Sequence, residues 1–228
     1  MRWFLNFLAV LQLTTVLCAC EPVELTRHDN EYSRLETGAE VFVRIFKAES
    51  ELELWLKAPQ ANSFELKAVF PICRWSGDLG PKLREGDGQS PEGFYRVTRA
   101  SLNPNSSFHL SFNLGFPNKY DRAHSRTGSY LMVHGACVSV GCYAMTDAGI
   151  EKIYAAVESA LKGGQDAVDV HIFPFRMTSE NLALREGHEW YEFWLNLKEG
   201  YDAFEEMHRV PNIGVNHKRY TFQTAHVP

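Results

Sequence analysis

The chain has 228 residues, of which 45% are hydrophobic and 22% charged, with a formal net charge of −5 at pH 7. That length supports one substantial core, and the composition is that of an ordinary globular protein rather than a fibrous or disordered one. The sequence contains no Lys/Arg-rich block, which argues against nucleic acid as a partner, because a phosphate-binding surface needs concentrated positive charge.

Residues 1–20 read as a signal peptide. After Met1-Arg2 the run from Trp3 to Leu17 is almost wholly apolar, broken only by Asn6, Gln12, Thr14 and Thr15, too short and interrupted for a membrane span. Leu17-Cys18-Ala19-Cys20 has the form of a bacterial lipoprotein cleavage box. Cys20 is therefore the candidate lipidation site, with a plain signal peptide as the alternative. A lipid there would be the chain's link to a membrane. Residues 21–38 are polar and patternless, as a tether would be.

Strict alternation follows. Val41 to Lys47 and Glu51 to Lys57, with Leu52, Leu54 and Leu56 on one face, predict a hairpin joined by Ala48-Glu49-Ser50. Ser63 to Phe70 predicts a third strand. Trp75 to Gly93 is rich in Gly and Pro and predicts a long irregular loop. Strands are predicted over Phe94 to Val97, Phe108 to Asn113 and Ser129 to His134, separated by turn-rich LNPNSS and polar GFPNKYDRAHSRTG.

The period then changes from two to near 3.6. Thr146 or Asp147 is a suitable N-cap, and Ile150, Ile153, Tyr154, Val157 and Leu161 share one face before Gly163-Gly164, which predicts a helix. A strand over Ala167 to Phe173, a short helix over Thr178 to Arg185 and an aromatic helix over Glu189 to Met207, interrupted at Gly200, complete the reading. Arg219 to Gln223 is expected as one edge strand. The fold class is mostly β (α+β).

The chemistry concentrates in SYLMVHGACVSVGCYAMTD, Ser129 to Asp147. A cysteine nucleophile needs a base to take its proton. Cys142 is the candidate nucleophile and His134 the candidate base. The flanking Gly135 and Gly141 permit a tight backbone path and leave N–H groups for an oxyanion. A helix just downstream of Cys142 would favour a thiolate directed at it, by roughly 1 kcal/mol or less.

Beyond Cys20, Cys73, Cys137 and Cys142 make an odd number, so in an oxidising compartment one thiol is free or pairs between chains. A free Cys142 suits catalysis and leaves Cys73 and Cys137 as the natural pair. A Cys137–Cys142 bond would instead block the nucleophile. Zinc held by His134, Cys137 and Cys142 is a rival reading, but it lacks a Cys-x-x-Cys knuckle and an evident fourth ligand. The charged residues of SGDLGPKLREGD, Lys82 and Arg84 foremost, are candidates for binding carboxylates or amines of a substrate, with solvation of the loop as the alternative. His109, His124 and His171 read as surface or satisfied histidines.

His134-Gly135 followed by Ser139-Val140-Gly141-Cys142, with Ser90-Pro91-Glu92-Gly93-Phe94 upstream, resembles the YkuD-type L,D-transpeptidases. The phrases PICRWSGDLGPKLREGDGQSPEGFY, LMVHGACVSVGCYAMTD and PFRMT are similar to the murein L,D-transpeptidase-like branch of Gram-negative bacteria. Val140 stands where many members carry His, which leaves His134 as the local imidazole. The resemblance implies a YkuD-like β-sandwich or barrel catalytic domain over 39–176, with a helical extension over 177–228 packed on it. It implies acyl transfer on peptidoglycan stem peptides through a thioester on Cys142, in the periplasm or cell envelope.

In that scheme the Gly135 carbonyl orients the imidazole, the Gly141 and Cys142 N–H groups serve as oxyanion donors, and Ser139 holds the loop or touches substrate. No metal or cofactor is implied. Resolution of the thioester by an amine would be transpeptidation. Resolution by water would be hydrolysis, which in this branch could release a wall-linked envelope lipoprotein, and a wall-binding lipoprotein without turnover is the non-enzymatic alternative.

Overall fold

The computed structural model describes residues 35–223; the expected signal, Cys20 and most of the tether lie outside them. In chain order the elements are β1 (Glu40–Phe46), β2 (Glu51–Lys57), β3 (Glu65–Pro71), β4 (Gly93–Val97), β5 (Leu102–Ser106), β6 (His109–Asn113), α1 (Lys119–Ala123), β7 (Met132–His134), β8 (Tyr143–Ala144), α2 (Asp147–Lys162), β9 (Val168–Phe173), α3 (Ser179–Ala183), α4 (Tyr191–Met207), β10 (Asn212–Asn216) and β11 (Arg219–Gln223). Five strands form one sheet in the order β3-β2-β1-β9-β4, and four form a second in the order β5-β6-β7-β8. The fold is α+β, as the sequence pattern implies.

β1 and β2 make the expected hairpin, paired from Glu40↔Lys57 to Phe46↔Glu51. Side chains alternate across a strand. Val41, Val43 and Ile45 therefore join a core shared with α2 and the four-stranded sheet, whereas Phe42 and Phe46 pack on the opposite side. That opposite side is covered by α4, through Trp194, Leu197, Tyr201 and Phe204. Both faces of β2 are consequently closed, and even Glu53 and Trp55 are buried. α2 starts at Thr146, whose hydroxyl accepts from the Gly149 N–H at 3.1 Å, and its apolar face fills the space between the sheets.

Several expectations are corrected. LNPNSS forms the edge strand β5, whose Pro104 is exposed, a position where its missing N–H costs no ladder bond. The polar segment before β7 holds α1, capped reciprocally by Asn118 and Asp121 at 2.9 and 3.1 Å. Gly200 does not interrupt α4: a Cβ there would lie 2.4 Å from Phe222 and 2.7 Å from Phe94, so the glycine permits close packing within a continuous helix. β11 pairs with β10 as a separate hairpin, which packs on α4, rather than extending a sheet edge.

Candidate active site

His134 ends β7, and the residue is 2% exposed. Nδ1 lies 2.6 Å from the Gly135 carbonyl. A carbonyl can only accept, so Nδ1 carries the proton and Nε2 is left as the basic nitrogen. Burial pushes the His134 pKa below the ordinary imidazole value, against the opposing pull of the Gly135 hydrogen bond. The imidazole is therefore neutral near pH 7 and able to accept a proton.

Cys142 is the free cysteine among the described residues. Its thiol lies 3.6 Å from the Tyr130 carbonyl. Burial raises its pKa, opposed by a backbone hydrogen bond from Met132 and the charge of Lys82. The resting pair is thus a thiol and a neutral imidazole. β8 separates Cys142 from α2, and the sulfur meets the Tyr130 carbonyl, so the helix N-terminus is not its partner. Cys142, His134 and Ser139 line one cleft of about 390 Å³ with Arg74, Phe108, Val138 and Val140.

The backbone around Cys142 is held by side chains. Ser139 Oγ donates to the Cys142 carbonyl at 2.7 Å and Ser90 Oγ donates to the same oxygen at 3.0 Å. Gly141 has φ 95°, a left-handed conformation open to glycine. Its N–H donates to Ser76 Oγ at 2.6 Å, which corrects its expected role as an oxyanion donor, because the hydrogen is already committed. The Cys142 N–H is the remaining donor of the expected pair.

Cys73 and Cys137 form a disulfide. It pins the segment between His134 and Cys142 to the end of β3, where Ala136 and Cys137 have φ of 67° and 47°, strained for non-glycine residues. The Ala136 N–H donates to Asp147 at 2.8 Å, and the Cys137 N–H to the Met145 carbonyl at 3.3 Å. The bond also removes the Cys137 sulfur from the zinc reading.

Lys82 is buried and paired with Asp87, which corrects its expected role of binding substrate carboxylates. Arg84 is not among the cleft-lining residues. His109 meets Glu151 at 2.7 Å and His124 the Lys218 carbonyl at 2.8 Å. His171 is instead fully buried, with both ring nitrogens unpartnered, its ring edge-on to Phe42 and Phe94 at 4.6 and 4.7 Å; it stays neutral because burial and the charge of Arg44 depress its pKa. Arg74, Phe108 and Ser76 were not singled out by the sequence, and Ser90 appeared there only as the first residue of the upstream motif, with no role of its own.

A family model described as "YkuD: L,D-transpeptidase catalytic domain" matches residues 71–195. The chain belongs to the YkuD L,D-transpeptidase family. A protein of Escherichia coli strain K12 described as "Putative L,D-transpeptidase YafK" is 47% identical to this YkuD chain over 190 residues, covering 83% of this chain and 76% of the relative. The helical cell shape determining protein Pgp2 of Campylobacter jejuni, as its K307A mutant, aligns with a TM-score of 0.49 and 19% identity over 73% of this chain. This chain spans 56% of that structure's length. Bd1075 of Bdellovibrio bacteriovorus aligns with a TM-score of 0.42 and 14% identity, over 78% of this chain and 77% of that one.

Proposed function

We propose that this YkuD protein performs cysteine-dependent acyl transfer on peptidoglycan stem peptides, with Cys142 as nucleophile and His134 as general base. The observation that carries the reading is the shared cleft, in which a free thiol and a buried imidazole oriented by the Gly135 carbonyl both take part. The Cys142 sulfur attacks the carbonyl of the L-centre, in the resemblance that of meso-diaminopimelate, as the thiol proton passes to His134 Nε2. The oxyanion forms beside the Cys142 N–H. On collapse the C–N bond breaks, the amine of the D-residue leaves with the proton from His134, and a thioester remains. An amine resolves the thioester in transfer and water resolves it in hydrolysis, each giving a proton to the imidazole and restoring the thiol.

The Cys73–Cys137 disulfide supports a location in the cell envelope, since such bonds persist in oxidising compartments. Among the described residues no helix is long and apolar enough to cross a membrane. Attachment through a lipid on Cys20 and action on a wall-linked lipoprotein remain parts of the proposal.

Purified Cys142→Ala is expected to keep its fold and lose muropeptide turnover, and the wild type to show a mass adduct on Cys142 when incubated with a stem-peptide substrate or a carbapenem. Turnover by the alanine variant would sink the nucleophile assignment. A wild-type protein that binds muropeptide without any adduct would favour a non-catalytic wall-binding role. Parallel incubations of lipoprotein-linked sacculi with and without an amine acceptor separate transfer from hydrolysis by the mass of the released muropeptides.

A further inference from the structure

We propose that Ser90, backed by Ser76, is a positioning residue for Cys142 alongside Ser139, and that the buried Lys47–Glu92 pair is the anchor from which it acts. The inference rests on Cys142 being the attacking group. Ser139, from the same segment as Cys142, holds the Cys142 carbonyl at 2.7 Å; beside it, that carbonyl and the Gly141 N–H are both gripped from one distant loop, the irregular segment between β3 and β4. Ser90 Oγ donates to the Cys142 carbonyl at 3.0 Å, and Ser76 Oγ accepts from the Gly141 N–H at 2.6 Å.

The two serines also brace each other. The Ser76 N–H donates to Ser90 Oγ at 3.1 Å and the Ser90 N–H donates to the Ser76 carbonyl at 2.9 Å. Ser76 Oγ donates in turn to the Gly88 carbonyl at 2.6 Å. Each hydroxyl thus gives its hydrogen to one carbonyl and accepts from one N–H, a fully satisfied and oriented arrangement.

The far end of this network is fixed in the core. Lys47 is 0% exposed, and its Nζ donates to the Ser90 carbonyl at 3.1 Å, to the Asp78 and Gly80 carbonyls at 2.7 and 3.1 Å, and to Glu92 at 3.0 Å. Glu92 is held from the other side by the Gly80 N–H at 2.6 Å and by Trp194 Nε1 at 3.0 Å. The serine that touches the nucleophile's backbone is therefore tied to the end of β1 and, through Glu92, to α4. A loop without regular structure gains the rigidity of the sheet at the point where catalysis requires it, and sub-ångström placement of a reacting atom governs rate strongly.

Wild-type, Ser90→Ala and Ser76→Ala proteins are compared by two measurements that share no substrate. Alkylation of Cys142 by iodoacetamide, located by mass spectrometry, reports thiol placement, and muropeptide turnover reports catalysis. Ser90→Ala is expected to change the alkylation rate about fivefold, as for loss of one hydrogen bond. It is expected to lower kcat about tenfold or more with KM nearly unchanged, while its Tm stays close to that of the wild type. Ser76 is only half-buried, and Ser76→Ala should move both readouts in the same direction, which keeps the test open if Ser90→Ala fails to fold.

A folded Ser90→Ala protein with wild-type alkylation and wild-type kcat overturns the proposal, as does a purely KM-borne loss. Absence of muropeptide turnover in the wild type would count against the catalytic reading, while the alkylation arm would still judge the placement of Cys142 by Ser90.

Discussion

Across β1, β9 and the middle of β2, the two faces of the five-stranded sheet are both closed to water, but with different materials. Toward α2 the sheet presents Val41, Val43, Ile45, Leu54, Val170 and Ile172, all fully buried and without a charge among them. Toward α4 it presents aromatic rings interleaved with buried Arg44, Glu53 and His171, and with Lys47 at its rim. Arg44 pairs with Glu53 at 2.8 Å and with Glu205, and its guanidinium lies over Trp55 at 4.9 Å. Apolar packing is tolerant of which neighbours meet, whereas a buried charge is stable only beside its own partner. The first face supplies cohesion, and the second supplies fixed geometry that reaches the loop behind Cys142.

The sharpest way to break that contrast is to remove one charge from the second face. Lys47→Met leaves the Glu92 carboxylate and the Asp78, Gly80 and Ser90 carbonyls without their ammonium, and the expected loss is about 3–5 kcal/mol by denaturant unfolding. Adding Glu92→Gln should recover part of it. A Lys47→Met protein as stable as the wild type would remove the distinction between the faces. On the apolar face, Leu54→Ala should cost about 2–5 kcal/mol through transfer and cavity terms but leave Cys142 alkylation unchanged. Altered thiol reactivity in that variant would show that both faces inform the site.

The smallest expected effect is pH-dependent and also belongs to the second face. Burial raises the Asp169 pKa from 3.8 to about 6, against the opposing charge of Arg96 at 3.3 Å. Between those values the folded chain keeps a proton that the unfolded chain has released. This contribution to stability is therefore full below pH 3.8 and is lost as pH rises through about 6. Asp169→Asn cannot ionise, so its Tm relative to wild type should improve between about pH 4 and pH 7. A Tm difference that is flat across that range would show that Asp169 does not titrate in this way.

Legibility in the sequence followed the same division. The β1–β2 hairpin and α2 were readable because alternation and the 3.6-residue period are written in consecutive residues. His134 and Cys142 were readable because glycines beside a thiol and an imidazole make a local pattern. α1 was hidden by its five residues and polar composition, and β5 by Asn and Pro at a sheet edge. Gly200 read as a break because its reason for being small, Phe222 and Phe94, lies elsewhere in the chain. The roles of Ser90 and Lys47 could not be read, although Ser90 opens a recognised motif, since their bonds cross 52 and 43 residues and nothing local says what they meet.

The Lys47 ammonium can also be viewed as a captive ion. Four oxygens, from Asp78, Gly80, Ser90 and Glu92, surround it within 3.1 Å, a cage of carbonyls and one carboxylate such as loops elsewhere build around calcium. Here the cation is covalently part of β1's continuation. A chelator cannot extract it, because the charge that gathers these four oxygens comes with the chain itself.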